Sequence, residues 1–167
     1  PVRNETIAAL TAYARANPDV MLLTADLGYS VLEQFADELP DQYCNVGVCE
    51  QAMVGISAGL ALSGKRPVAE LMFADFIGVS LDQIWNQMAK FRYMFGGKTK
   101  CPAVIRMAYG AGFNAAAQHS QSVHQILTGM PGLKVVMPST PADVKGLLRT
   151  AIRDDDPVIF LEHKALY

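Results

Sequence analysis

The sequence predicts an α/β fold, namely a three-layer sandwich with a mostly parallel central sheet and helices on both faces. Short runs of consecutive apolar residues alternate along the chain with segments whose apolar residues recur at helical spacing. The runs are apolar throughout, which is typical of parallel strands covered on both faces. Hydrophobic residues make up 51% of the 167 residues and charged residues 18%, which suits one domain, residues 1–167, with a sizeable core.

In the first half of the chain, helical patterns alternate with three strands. Asn4 is placed to cap the first helix, whose apolar face carries Ile7, Leu10, Ala14 and Tyr13. Pro40 and the pair Ser63-Gly64 end the next two helices, because neither proline nor glycine favours a continued helix. These two helices are predicted at 31–39 and 50–62, and the strands at 20–23, 43–46 and 67–72.

The second half opens with a long helical pattern, 77–95, which Gly96 and Gly97 end. A loop rich in glycine, alanine and glutamine, 109–121, follows the fourth predicted strand. The remaining predicted elements are the strands 103–107, 134–137 and 158–162 and the helices 123–127 and 141–152.

Three loops are candidates for a functional site. In folds of this class, ligands bind at the carboxyl ends of the strands. Segments 47–50, 73–76 and 109–121 each follow a predicted strand and carry polar or aromatic side chains. We therefore expect the site at the edge of the sheet where these loops meet.

Charge and composition exclude several classes of partner. The net charge of −2, with dispersed basic residues, predicts no binding to nucleic acid or to an anionic membrane. No apolar run approaches the roughly 18–20 residues of a membrane span, and the first residues carry no apolar signal region. The three cysteines show no metal-ligand spacing and cannot all pair within one chain. We expect reduced thiols and a cytoplasmic protein.

Glu50 has two interpretations. A carboxylate in the first turn of a helix is favoured by the helix dipole, typically by about 0.3–1 kcal/mol, so Glu50 could be only a structural charge. However, it follows Val-Gly-Val-Cys and precedes a helix of small apolar residues suited to close packing. That setting is unusual for a solvated acid and favours a functional carboxylate.

Other candidate residues lie further along the chain. His119, in Ala-Gln-His-Ser-Gln, is a possible proton donor or acceptor near neutral pH, or else a surface histidine. His124 and His163 are more often structural at such positions. The nearby serines lack the Gly-x-Ser-x-Gly pattern of a nucleophile, and the acidic run at 154–156 is more often a solvated turn than a cation site.

Several blocks, in order, resemble one family. Residues 46–64, with Val-Gly-Val-Cys-Glu-Gln-Ala-Met, resemble the pyrimidine-binding domain of the transketolase superfamily. Segments 72–77, 86–98, 115–122, 131–138 and 151–167 are similar to the beta subunit of the decarboxylating component of 2-oxo acid dehydrogenase complexes, most of all its pyruvate and acetoin branches. The stretch Leu-Thr-Ala-Asp-Leu-Gly at 23–28 looks more like transketolase itself.

The resemblance implies thiamine diphosphate as the cofactor and assigns roles to six residues. Glu50 matches the glutamate that activates the aminopyrimidine, and it should therefore be desolvated. The backbone at Val48 matches the segment that holds the amino group, and Phe76 matches the aromatic residue that packs on the ring. His119 matches an active-site histidine. Asp154 and Asp156 lie in a segment that holds a monovalent cation, such as potassium, in some relatives.

The resemblance also implies partners. The Gly-Asp-Gly and Asn-Asn motif that binds magnesium and the diphosphate is absent from the sequence, and in the family it belongs to an alpha subunit. The other implied partners are a lipoyl acyltransferase and a second beta subunit within a heterotetramer. Family beta subunits continue into a carboxy-terminal domain that this sequence lacks. A transketolase-type ketol transferase and a non-catalytic remnant that only binds a partner remain open alternatives.

Overall fold

A computed structural model describes residues 2–167. Its centre is a six-stranded sheet in the order β2-β1-β3-β4-β6-β5, and every neighbouring pair is parallel. The prediction of an α/β fold with a parallel central sheet is therefore confirmed. The strands are β1 (Val20–Thr24), β2 (Tyr43–Asn45), β3 (Arg66–Phe73), β4 (Val104–Tyr109), β5 (Lys134–Val136) and β6 (Val158–His163).

Helices cover both faces of the sheet. The core on one face packs α1 and α7 against residues such as Leu22 and Phe160, and the core on the other face packs α3 against residues such as Ile105 and Leu161. Within residues 2–167, no helix has the length and apolar character needed to cross a membrane. The helices are α1 (Val2–Arg15), α2 (Glu33–Glu38), α3 (Glu50–Leu62), α4 (Ile77–Asp82), α5 (Phe91–Met94), α6 (His124–Thr128) and α7 (Pro141–Arg153).

The helix boundaries follow local signals closely. The bounds predicted for α3 are those observed, and its buried side is formed by Met53, Val54, Ser57 and Ala58. At α7, the Thr140 hydroxyl and the Asp143 carboxylate each accept a hydrogen bond from the other residue's backbone N–H, a reciprocal cap that satisfies two otherwise free donors.

Two helix predictions were wrong. Asn4 is not a cap, because α1 already includes Val2 and Asn4 lies in its first turn. The long helix predicted at 77–95 is broken into α4, a π-helical stretch (Gln83–Met88) and the short α5. The spacing of the apolar residues does not reveal a π-helical turn, because such a turn differs from an α-helical turn in its i→i+5 hydrogen bonds and not in its residue types.

The strands are less uniformly apolar than expected. Glu70, Arg106 and Glu162 come from β3, β4 and β6, and all three are buried. Arg106 forms ion pairs with both carboxylates, and its Nη2 lies 2.7 Å from Glu162 Oε2. Thr6 of α1 donates a hydrogen bond of 2.5 Å to Glu162. This charged triad therefore joins three central strands to the helix that covers them.

Candidate active site

The parallel sheet brings the predicted loops to one edge. Strands β3, β4 and β6 are neighbours, and the segments that follow them are 74–76, 110–123 and 164–166. The segment after β2 lies at the same edge, two strands away from β3. Loops distant in sequence can therefore form a single site, as expected for this class of fold.

Glu50 is the first residue of α3, on the loop that follows β2. The Asn45 side chain shapes this loop, because its Oδ1 accepts hydrogen bonds from the backbone N–H groups of Gly47 and Asp26, both at 3.0 Å. Gly47 has a φ of +77°, a conformation that favours glycine. The loop therefore enters α3 through a turn that directs Val48 outward, with 74% of its surface exposed.

Glu50 is less enclosed than we expected from the sequence. It is only half-buried in this chain, and several small residues of α3, among them Ala52 and Gly59, are exposed. The residues one turn further along Glu50's own face of α3, Met53 and Val54, are buried, whereas Ala52 and Gly59 lie on the opposite, exposed side of the helix. The desolvation expected for this carboxylate needs a further surface against it.

An aromatic cluster joins the segments after β3 and β4. The imidazole of His119 stacks on Phe73, with ring centroids 4.5 Å apart and an interplanar angle of 14°. Phe76 meets His119 edge-on at 5.4 Å and Phe73 at 5.9 Å. The structure therefore brings two residues predicted for the site, Phe76 and His119, into direct contact.

His119 ends a single turn of 3-10 helix (Ala117–His119) within the loop after β4. The base of this loop is closed by a hydrogen bond of 2.9 Å from the Gly110 N–H to the Gln121 carbonyl. Asp75 Oδ1 accepts a bond of 3.2 Å from the Gln121 N–H. The Nδ1 atom of His119 is enclosed by the protein and has no hydrogen-bond partner within residues 2–167.

Asp154 and Asp156 lie elsewhere. They precede β6, at the amino-terminal edge of the sheet, opposite to the Glu50 loop. Lys134 Nζ lies 2.7 Å from Asp154 Oδ1 and 3.2 Å from Asp156 Oδ2, and these hydrogen bonds raise the pKa of Lys134. Arg92 also pairs with Asp156. In the described part of the chain, no group of three His, Cys, Asp or Glu side chains could hold a metal ion.

Two further residues, Phe73 and Lys164, lie at the site edge, and neither has a sequence motif that marks it for a site. Lys164 begins the turn after β6, and its ammonium reaches the His119 carbonyl oxygen. Only its position after a buried strand, in Leu-Glu-His-Lys, could have indicated it, because a lysine at the carboxyl end of a central strand points to the same edge.

The fold and the edge define a parallel α/β domain with a ligand site formed by the loops after its strands. The profile of the family described as transketolase, pyrimidine binding domain matches residues 2–167. The chain therefore belongs to this family, which confirms the resemblance seen in the sequence.

Relatives and solved structures agree with this assignment. The chain is 62% identical over 127 residues to an acetoin:2,6-dichlorophenolindophenol oxidoreductase subunit beta of Cupriavidus necator, a match that covers 76% of this chain and 38% of the relative. It is 43% identical over 127 residues to a pyruvate dehydrogenase E1 component subunit beta of Bacillus subtilis, covering 76% and 39%. A split gene transketolase, an inactive beta4 tetramer, has a TM-score of 0.81 at 26% identity, covering 98% of this chain and 51% of that one. The chain thus spans about two fifths of the length of these curated relatives.

Proposed function

We propose that residues 1–167 form one pyrimidine-binding domain in the beta subunit of a thiamine-diphosphate-dependent dehydrogenase. The enzyme would cleave acetoin or decarboxylate a 2-oxo acid such as pyruvate and would pass the acyl group to lipoate. The observation that carries this proposal is Glu50, a carboxylate at the start of α3 on the edge of a domain whose family is named for pyrimidine binding. The beta-subunit relatives support it.

The residues beside Glu50 fit an aminopyrimidine. Such a ring presents a nitrogen that can share a proton with a carboxylate and an amino group that donates to a carbonyl oxygen. Within residues 2–167, the backbone N–H and C=O groups of the exposed Val48 make no hydrogen bond. The free carbonyl oxygen of Val48 can accept a hydrogen bond from the amino group, and the carboxylate of Glu50, two residues later, can share a proton with the ring nitrogen. The Phe76 ring supplies an apolar surface for the pyrimidine.

In this proposal, Glu50 holds and shares the proton at the pyrimidine nitrogen. The bound thiamine diphosphate supplies a carbon nucleophile and an electron sink. Val48 fixes the amino group and Phe76 packs on the ring, so that the orientation of the cofactor is set by this chain. A partner that covers the exposed part of Glu50 would desolvate the carboxylate and strengthen its hold on the proton.

The partners proposed here follow from what this sequence lacks. An alpha subunit would bring the motif that holds magnesium and the diphosphate, and a lipoyl acyltransferase would accept the acyl group. A second beta subunit would complete a heterotetramer. The names of the relatives, each a subunit beta, support the alpha partner. A cytoplasmic location and a monovalent cation at Asp154 and Asp156 stay predictions, and the latter requires the cation to displace Lys134.

The first test is reconstitution. The chain alone is expected to bind thiamine diphosphate weakly, and addition of the alpha subunit should produce magnesium-dependent binding that calorimetry can measure. The assembled enzyme should then reduce 2,6-dichlorophenolindophenol with acetoin or with pyruvate. We expect acetoin to be the better substrate, since identity to the acetoin relative is higher. Tight binding of the cofactor by this chain alone would contradict the proposed division between subunits.

A transketolase-type transferase is the second candidate, favoured by the structural similarity to the split gene transketolase. It predicts turnover of sugar phosphates without lipoate. The third possibility, a non-catalytic remnant, predicts no turnover with any partner. The same assembled enzyme, assayed with sugar phosphates, acetoin and pyruvate, separates the three.

The second prediction concerns His119. We expect its half-buried imidazole, which stacks on Phe73 at the site edge, to donate a proton to sulfur as the lipoyl dithiolane ring opens. His119→Ala is expected to slow transfer to lipoate by about 10²-fold, while reduction of an artificial electron acceptor falls much less. Gln125→Ala is a suitable control, because Gln125 is exposed on α6 and has no proposed role in transfer. An equal loss in both assays of His119→Ala would assign this histidine to an earlier step.

A further inference from the structure

Lys164 is buried, with 1% of its surface exposed, and it begins the turn that follows β6. Within residues 2–167, no carboxylate lies within ion-pair distance of its ammonium. The ammonium instead donates to the backbone carbonyl oxygen of His119 and lies 4.9 Å from the centre of the Phe73 ring. Burial lowers the pKa of Lys164, although the charge of Asp75 opposes that effect. A buried cation without a counter-ion is unfavourable for folding, so its presence calls for a functional reason.

Both contacts of the ammonium converge on His119. One holds the backbone of His119 directly. The other is a cation–π contact with Phe73, and the His119 imidazole stacks on the ring of that same residue. The position and the plane of the imidazole are therefore both linked to one side chain.

The loop that carries His119 also lies unusually close to the turn after β6. A Cβ atom added at Gly110 would be 2.4 Å from Nε2 of His163, and one added at Gly112 would be 3.1 Å from the Ala165 nitrogen. Both glycines have positive φ values, +79° and +141°. The two glycines thus allow the loop to pack closely against the end of β6 and the turn after it, and the hydrogen bond from Lys164 to His119 belongs to the same area of contact.

We propose that Lys164 is a positioning residue that holds His119 in its reactive place. This inference rests on the proposed function, since it is in acyl transfer that His119 is given its role. Lys164 touches no substrate in this arrangement. It acts by restricting the motion of the loop 110–122, so that the His119 imidazole is already correctly oriented before each turnover.

The test replaces Lys164 by methionine in the assembled full-length enzyme. Methionine fills a similar volume without charge, so the variant is expected to fold and to melt no lower than the wild type. Amide hydrogen exchange in 112–121 should become at least about tenfold faster while the strands keep their protection. Transfer to lipoate should slow by roughly 10–100-fold, a range set by the loss of a precise orientation. Lys145→Met removes an exposed lysine of α7 and should change none of these quantities.

A double-mutant cycle with His119→Ala separates positioning from a general structural effect. If Lys164 acts through His119, the Lys164→Met change should slow transfer far less in the His119→Ala background than in the wild type. Equal losses in both backgrounds would overturn the proposal, and so would unchanged exchange in 112–121. The exchange measurement does not depend on catalysis, so it distinguishes failure of this inference from failure of the proposed function. Should Lys164→Met not assemble, Lys164→Gln is judged by the same two criteria.

Discussion

Replacement of Glu50 by glutamine is expected to slow proton exchange at the reactive thiazolium carbon of the cofactor by about 10²–10⁴-fold in the assembled enzyme. Glutamine keeps the shape of the side chain but cannot share its proton with the pyrimidine nitrogen. The fold should be unchanged, because Glu50 is half-buried at the start of α3 and makes no capping hydrogen bond there. Exchange measured by NMR in deuterated water, together with circular dichroism, tests both statements.

Glu33→Gln provides the control for a structural charge. Glu33 is the first residue of α2, as Glu50 is of α3, and it also accepts a hydrogen bond of 2.6 Å from the Ser30 N–H. A loss of stability due to the helix dipole, about 0.3–1 kcal/mol, should appear in both variants, and Glu33→Gln should lose somewhat more because it also removes that hydrogen bond. If Glu50→Gln exchanged the thiazolium proton as fast as Glu33→Gln, Glu50 would be a structural charge and the proposed mechanism would be wrong.

The second large effect is expected at the charged triad of Glu70, Arg106 and Glu162. Arg106→Met should lower the free energy of unfolding by about 3–5 kcal/mol, because it leaves two buried carboxylates without their counter-ion. That is a large fraction of the stability of an ordinary domain. Urea unfolding of the wild type and the variant at the same pH measures the difference, and a loss under about 1 kcal/mol would show that the triad is not tightly coupled.

Two further variants determine the origin of that loss. Combining Arg106→Met with Glu70→Gln and Glu162→Gln removes every charge of the triad, and it should restore at least half of the lost stability.

The stability of Glu70→Gln relative to the wild type should depend on pH. Burial raises the pKa of Glu70, against the opposing charge of Arg106, since one guanidinium faces two carboxylates.

The direction of this pH dependence follows from proton binding. A carboxyl group with a raised pKa in the folded state binds its proton more tightly there than in the unfolded chain. Its contribution to stability is complete below the unfolded pKa of about 4.3, and it is lost as the pH rises through the folded pKa. The stability of Glu70→Gln relative to the wild type should therefore increase as the pH is raised from about 4. A relative stability that stayed constant or decreased over this range would contradict the raised pKa.

Local patterns were sufficient for most of the fold. The apolar spacing and the stop at Ser63-Gly64 predicted α3 with the bounds observed, and each strand was located to within one or two residues at either end. These features depend on interactions between near neighbours, whose periodicity is visible in the chain itself. The π-helical stretch, which packs against α3, was missed because no repeating local pattern marks it.

The candidate site could be predicted only in part. Position after a strand, together with the family resemblance, was enough to select Glu50, Phe76 and His119. The stacking of His119 on Phe73 could not be predicted from the sequence, because it joins residues that follow or end two neighbouring strands. The half-burial of Glu50 was also unexpected, since the small residues of α3 suggested a closed setting, whereas the carboxylate at the start of that helix stays partly exposed within residues 2–167.

By itself, then, the sequence determined the α/β class, the order of its elements and the edge at which the site lies, because each follows from short-range periodicity and from the geometry of parallel strands. Only the tertiary structure decided which charged side chains share the interior. The register of β3, β4 and β6 places Glu70 opposite Arg106 and brings Glu162 within reach of the same guanidinium. The crossovers likewise carry Lys164 to His119, 45 residues away in the chain. Such pairs form through long-range packing, for which no pattern of neighbouring residues provides a signal.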